Sequence, residues 1–355
     1  MVVFPRCLYV FIAVLTTSIL YFFSIGLNGF GPLIWIAPIP VLILAFSLSP
    51  AQTAVISFAA FLLGSMTLFS YLTRLMPVGM VIASLTIPAI IFTLAVLATR
   101  FTVLKFKHWA TIVTFPIIWT SYEYLLSIVS PNGTAGSIAY TQADFISLIQ
   151  IISLTGIWGI TFILTVLPTG IAVAWHLRRN KKQAVLSLAV PLTLILLIVV
   201  YGLVRLAQPV TGLPLRVGLA TTDTTIRYFR TENRDEALAV VQAYTHRINL
   251  LSVQGAQVII LPEKIVGVTP DYASGVYRIL GEIAKNNHVT IIVGLNFISS
   301  EHSQNKAVVF SPSGKVLAEY CKIHLVPGFE AHYLPGSEPV EFSLLEMKAG
   351  LAICK

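Results

Sequence analysis

Three apolar runs in the last third of the chain each lead to a residue that can take part in acyl chemistry. Val258-Ile-Ile-Leu-Pro ends at Glu263, a strand-like run from Lys315 to Tyr320 leads to Lys322, and Gly350-Leu-Ala-Ile ends at Cys354. A carboxylate, an ammonium and a thiol are a base, a cation and a nucleophile, the groups that acyl transfer through a thioester needs. A free thiol is mostly protonated at neutral pH, and a nearby base and cation favour the reactive thiolate. Glu263 suits the base, because partial desolvation at the end of a buried strand favours proton acceptance. Lys322 suits the stabilisation of an oxyanion. Glu330, eight residues beyond Lys322, is a second carboxylate able to orient that lysine or balance its charge.

Two other chemistries compete for these residues. Cys321, His324, Glu330 and His332 lie close together, and Cys-x-x-His is half of a zinc site. No second Cys/His pair follows at the usual spacing, and Cys321 and Lys322, as strand neighbours, face opposite sides. A histidine could also serve as base for Cys354, but no buried carboxylate is placed to orient one. No metal and no cofactor are expected. The three cysteines, Cys7, Cys321 and Cys354, form no disulfide framework.

Bringing three strand ends together takes a sheet with helices on it. A strand is predicted over 215–220, a helix over 232–253 with Leu238, Val241, Tyr244, Ile248 and Leu251 on one apolar face, and a buried strand over 258–261. A helix over 272–287, a strand over 289–298, a hairpin of 306–310 with 315–320 around Ser-Pro-Ser-Gly314, and a short strand at 351–353 complete the pattern. This is α/β with a mixed sheet, and in such sheets ligands sit beyond the carboxyl ends of the strands.

The preceding two hundred residues are of another kind. Of 355 residues 56% are hydrophobic and only 11% charged, with mean hydropathy +0.84, whereas soluble domains carry about 25% charge. Apolar runs over 8–26, 30–48, 53–72, 78–99, 110–129, 157–175 and 184–203 predict about seven spans, with 145–154 lying at the interface. The organisation is therefore 1–207 transmembrane, 208–214 linker and 215–355 catalytic. The net charge of +8 resides largely in loops between spans, which points to topology rather than to nucleic-acid binding. Arg100, Lys105 and Lys107, then Arg178, Arg179, Lys181 and Lys182, mark the cytoplasmic side, with Arg74 discordant, so everything after Leu206 is expected outside. Glu123, inside the fifth span, is either functional or close enough to the outer surface to stay wet. The Gly-rich loop 131–140 is either a lipid entry site or a plain connection.

Leu-Pro-Glu263, then Tyr-Cys-Lys322 with His-Leu-Val-Pro, then Ala-Ile-Cys354 resembles the Glu-Lys-Cys triad of the nitrilase (carbon-nitrogen hydrolase) superfamily. Glu330 matches its second glutamate, and Asn305 to Gly314 resembles the hairpin before its lysine. With spans in front, and with Trp119 to Glu123, Ala139-Tyr-Thr-Gln142 and Gly156, the chain is similar to the apolipoprotein N-acyltransferase family. The resemblance implies a multi-span α-helical membrane domain followed by an αββα nitrilase-like domain. It also implies further strands and a final span beyond Cys354, so the chain reads as a partial sequence. It implies that Cys354 takes an acyl chain from a phospholipid and passes it to the α-amine of the lipidated N-terminal cysteine of an apolipoprotein. Glu263 would be the base, Lys322 the oxyanion partner and Glu330 their support. The place implied is the bacterial plasma (inner) membrane, with the catalytic domain on the extracytoplasmic side. The alternatives are a membrane-anchored amidase or nitrilase acting on a small amide, and a non-catalytic membrane fragment.

Overall fold

The computed structural model describes residues 6–26, 29–130, 132–209, 212, 214–222, 231–326 and 330–354. The chain divides into two compact units, Met1–Val210 and Thr211–Lys355. That division falls inside the stretch read as a linker.

Unit 1 is helical: α1 Arg6–Ser24, α2 Ile39–Ala45, α3 Pro50–Ser65, α4 Phe69–Leu75, α5 Val78–Phe106, α6 Thr114–Val129, α7 Ile146–Ile149, α8 Ile152–Thr155, α9 Trp158–His176 and α10 Lys181–Leu206. Among the described residues six helices, α3 and α4 counting as one, are long and apolar enough to cross a membrane. The expected span over 30–48 is not one helix but a 3₁₀ turn at Gly31–Trp35 followed by the seven-residue α2. Pro32, Pro38 and Pro40 explain the break, because each lacks the backbone N–H that a continuous helix through 30–48 would need, so helical turns start at these prolines but do not run through them. The broken segment still runs from one end of the bundle to the other. At one end Trp35 donates to Gln142 at 2.9 Å, in the loop beyond α6; at the other Leu48 accepts from Arg100 of α5 at 2.8 Å.

Glu123 is 6% exposed, and four donors fill its carboxylate. Trp119 Nε1 (3.0 Å) and Thr161 Oγ1 (2.7 Å) come from α6 and α9, and Ser137 Oγ (2.6 Å) and the Ile138 N–H (3.0 Å) from the loop. A buried carboxylate satisfied this fully is an anchor rather than a reactive group. It ties the Gly-rich loop to two helices, and Trp119 is itself fixed by stacking on Phe115 and contact with Phe61.

Unit 2 contains β1 Val217–Leu219, α11 Arg234–Val253, β2 Val258–Ile260, β3 Gly267–Val268, α12 Pro270–Asn287, β4 Thr290–Phe297, β5 Gln304–Phe310, β6 Val316–Cys321, β7 Val340–Leu344 and β8 Met347–Leu351. The main sheet has the order β1-β2-β4-β5-β6, with β3 also pairing β4. β1, β2 and β4 run parallel because α11 and α12 are the crossovers between them, whereas β4, β5 and β6 are joined by short turns and run antiparallel. Asn233 caps α11 through Oδ1, accepting from the N–H groups of Asp235 and Glu236. The core under the helices is built from Val241, Tyr244 and Ile248 of α11, Val276 and Leu280 of α12, and Ile259, Ile291 and Val293 of the sheet, all fully buried. Burying each of these aliphatic side chains contributes roughly 1.5–3 kcal/mol.

The last strand differs from expectation. It covers Met347–Leu351 and pairs with Val340–Leu344 in a separate two-stranded sheet, so Ala352, Ile353 and Cys354 lie beyond its end.

Candidate active site in the sheet unit

Glu263 follows β2, and a close backbone approach fixes its place. A Cβ on Gly294 of β4 would sit 2.6 Å from Glu263 Cα and from the Pro262 carbonyl oxygen, and 2.8 Å from the Lys264 nitrogen. Only glycine lets the loop lie flat on β4. The Gly294 N–H donates to Pro262 O at 3.2 Å, and the Ile265 N–H donates to Gly294 O at 2.9 Å. Lys322 follows β6, its N–H donating to the Asn305 carbonyl at 2.9 Å, and its own carbonyl accepts from Gly336 at 2.9 Å. Cys321 pairs with Lys306 in the ladder. The alternation of β6 sends its side chain to the face opposite Lys322, and burial pushes its thiol pKa up.

Three of the four expected residues come together. Lys322 Nζ lies 3.1 Å from Glu263 Oε1 and 2.9 Å from Glu330 Oε2, with its side chain 2% exposed. Glu330 is buried too, and its Oε2 also accepts from the Val326 N–H at 2.9 Å. Two further residues, which the sequence reading did not place in the site, complete the cluster. Asn305 Nδ2 donates to both carboxylates, at 2.6 Å to Glu263 Oε1 and 3.1 Å to Glu330 Oε1. Lys264 Nζ pairs with Glu330 Oε1 at 2.7 Å and lies 4.0 Å from Glu263 Oε1. Asn305 was visible only as a hairpin residue, although its position opposite the strand that carries Lys322 puts both on one face. Lys264 carried no signal beyond standing next to Glu263. Residues 327–329, read as a Pro-Gly turn delivering Glu330, lie outside the described residues.

The electrostatics follow from this packing. Burial disfavours the Lys322 charge, but hydrogen bonds to Glu330 and Glu263 outweigh it, and the lysine pKa is raised. For Glu330, burial opposes ionisation, yet Lys264, the Val326 N–H and Lys322 hold the carboxyl at about 2. Two carboxylates and two ammonium groups make a cluster without net charge. Glu263 stays a third exposed, and among the described residues its Oε2 receives no hydrogen bond.

Cys354 is exposed, has φ +45°, and makes no hydrogen bond or ion pair to the cluster among the described residues. Its neighbour Ile353 is buried against Ala307 and Tyr320. These two pair across β5 and β6, two residues from Asn305 and Lys322. Ile353 therefore docks the cysteine segment on the sheet face that presents both site residues. Of the histidine and cysteine set weighed for a metal, no group of three or more possible ligands is gathered among the described residues.

Comparisons with known proteins divide at the same place as the two units. Residues 17–170 match the apolipoprotein N-acyltransferase N-terminal domain, and 217–355 match carbon-nitrogen hydrolase. Among curated relatives, an apolipoprotein N-acyltransferase of Geobacter metallireducens is 24% identical over 92% of this chain and 65% of its own length. Apolipoprotein N-acyltransferase 2 of Treponema denticola is 29% identical over 62% of this chain and 45% of its own. The chain thus spans between about half and two thirds of these relatives. Among solved structures, an amidase from Nesterenkonia sp. AN1 is similar at 21% identity over 39% of this chain and 57% of that one, with TM-score 0.34. A helical N-terminal part and a mixed-sheet C-terminal part that match these two domains in this order place the chain in the apolipoprotein N-acyltransferase family, within the nitrilase superfamily.

Proposed function

We propose that this protein is an acyltransferase that moves an acyl chain from a phospholipid, through a thioester on Cys354, to the α-amine of the N-terminal diacylglyceryl-cysteine of apolipoproteins. The observation that carries this reading is the Lys322 ammonium held between Glu263 and Glu330, with Ile353, next to the cysteine, packed on Tyr320 of the strand that leads to Lys322. Glu263, with one oxygen taken by Lys322 and Asn305, offers the other to the thiol proton and passes it to the departing lysophospholipid oxygen as the thioester forms; it then takes the amine proton and returns it to the Cys354 thiolate as the amide forms. Lys322, kept charged by its two carboxylates, supplies a donor to the tetrahedral oxyanion. Glu330 takes no proton in this scheme; its burial and its four donors make it the fixed counter-charge of Lys322.

The membrane half supports a lipid donor, because a phospholipid ester is reached from the bilayer. Seven basic residues, Arg100, Lys105, Lys107, Arg178, Arg179, Lys181 and Lys182, gather where α5 ends and α10 begins, whereas α10 leaves unit 1 at its other end. By the positive-inside rule this distribution supports a sheet unit on the extracytoplasmic side, which fits the bacterial plasma membrane of the proposed reaction.

The second reading, hydrolysis of a small amide, uses the same cluster with water as acceptor. The discriminating experiment incubates the detergent-purified protein with phosphatidylethanolamine and a synthetic peptide that begins with diacylglyceryl-cysteine. A peptide gaining one acyl chain supports the acyltransferase. An unchanged peptide, together with ammonia release from propionamide, assigns the amidase instead.

A further inference from the structure

Lys264 joins the cluster with no signal beyond standing next to Glu263, and its geometry is specific. Its backbone takes φ +52°, a left-handed conformation uncommon outside glycine, asparagine and aspartate, and it is held there by the flat contact of the Glu263 loop on Gly294. That conformation turns two consecutive side chains, Glu263 and Lys264, toward the same partners. Lys264 takes Glu330 by Oε1 while Lys322 takes it by Oε2. Among the described residues, the groups around Lys264 include Glu330, Glu263 and the Tyr333 ring, 5.1 Å from Nζ and itself packed on His332. Beyond them lies Lys322.

We propose that Lys264 is a positioning residue of the acyl-transfer centre: it neutralises Glu330 from the side away from Lys322, so that Lys322 is free to serve Glu263 and the reacting thiol. The proposal rests on the assignment of Cys354 to this cluster. The charge count gives it content. With Lys264 the cluster is neutral; without it two carboxylates face one ammonium, and the surplus negative charge opposes formation of a thiolate beside it. Lys264 pairs with Glu330 and with the Glu263 oxygen that Lys322 also holds, so its effect passes through the charges of these groups.

The test is the pH dependence of Cys354 alkylation by iodoacetamide in the full chain in detergent. Rates are followed between about pH 6 and 10 and assigned by peptide mass spectrometry, which separates Cys354 from Cys7 and Cys321. Lys264→Gln and Lys264→Met are expected to raise the midpoint by about one pH unit, and Lys264→Arg, which keeps the charge, to restore it. Lys322→Met is the reference and raises the midpoint as well. A role confined to folding stability moves no midpoint, and hydrogen exchange of the sheet unit reports whether each variant is folded. If Lys322→Met shifts the midpoint and neither Lys264→Gln nor Lys264→Met does, the proposal is overturned. If Lys322→Met also leaves it in place, Cys354 is not served by the cluster, and the assignment of the acyl-transfer centre fails first, taking the proposal with it.

Discussion

Replacing Glu330 with glutamine tests whether the charge on this buried carboxylate holds the cluster together. Its two oxygens accept from two ammonium groups at 2.7 and 2.9 Å, an amide at 3.1 Å and a backbone N–H at 2.9 Å. A carboxyl held at about 2 is below its unfolded value near 4.3, a difference that corresponds to roughly 3 kcal/mol favouring the folded state. Because the folded value is depressed, that contribution is complete above the unfolded value and is lost as the pH falls through about 2. Glu330→Gln keeps the shape but leaves Lys264 and the buried Lys322 without their shared anion, at a cost on the order of 3–5 kcal/mol. Two signatures follow. At neutral pH the variant is less stable by that amount, and below about pH 4.5 its stability falls less steeply than that of the native protein, because the titrating group is gone. The assay is hydrogen exchange, corrected for the intrinsic pH dependence, in peptides covering 316–326, since all five tryptophans lie in unit 1 and are blind to unit 2. Equal acid sensitivity of the two proteins would refute the reasoning, whatever the loss at neutral pH.

Three further outcomes are expected. Gly294→Ala places a methyl 2.6 Å from Glu263 Cα and the Pro262 carbonyl; a shift of the Glu263 loop by an ångström lowers thioester formation by about 10²-fold, read as the acylation rate of Cys354, while a native rate would show that the approach is not tight. Glu123→Ala strands four donors and destabilises unit 1 by on the order of 3–5 kcal/mol, measured by tryptophan fluorescence in denaturant, and an unchanged midpoint would remove the anchor role. At alkaline pH the sign reverses: Lys322, whose pKa is raised, stabilises the fold fully below its unfolded value near 10.4 and loses that contribution as the pH rises through the folded one. In Asn305→Leu, which loosens both carboxylates, the alkaline loss of protection in 316–326 sets in at lower pH than in the native protein.

Much of this was legible from the residues. Helix and strand types in unit 2 follow from period and from turn chemistry, because a run such as Val258 to Leu261 before a proline, or Ser-Pro-Ser-Gly between two β-branched runs, has few alternatives. The meeting of Glu263, Lys322 and Glu330 was readable as three residues at loop and strand ends. Other features were not legible, for reasons of distance along the chain. The two-stranded sheet of β7 and β8 depends on pairing across a tight turn at Leu345 and Glu346, both at positive φ, and nothing in those residue types announces it. Lys264 and Asn305 act through partners 66 and 25 residues away. In unit 1 the hydropathy of 30–48 announces a span, yet its prolines break the helix. Glu123 illustrates the same limit, since its saturating donors come from a loop and a helix as many as 38 residues downstream.

Acyl transfer turns on Cys354, and the most direct measurement is intact mass of the detergent-purified protein after mixing with phospholipid. The prediction is a gain of one acyl chain, removed by hydroxylamine, mapped to the peptide carrying Cys354 and absent in Cys354→Ala. An acyl adduct that survives in Cys354→Ala, or no hydroxylamine-sensitive adduct on the native protein, would contradict it.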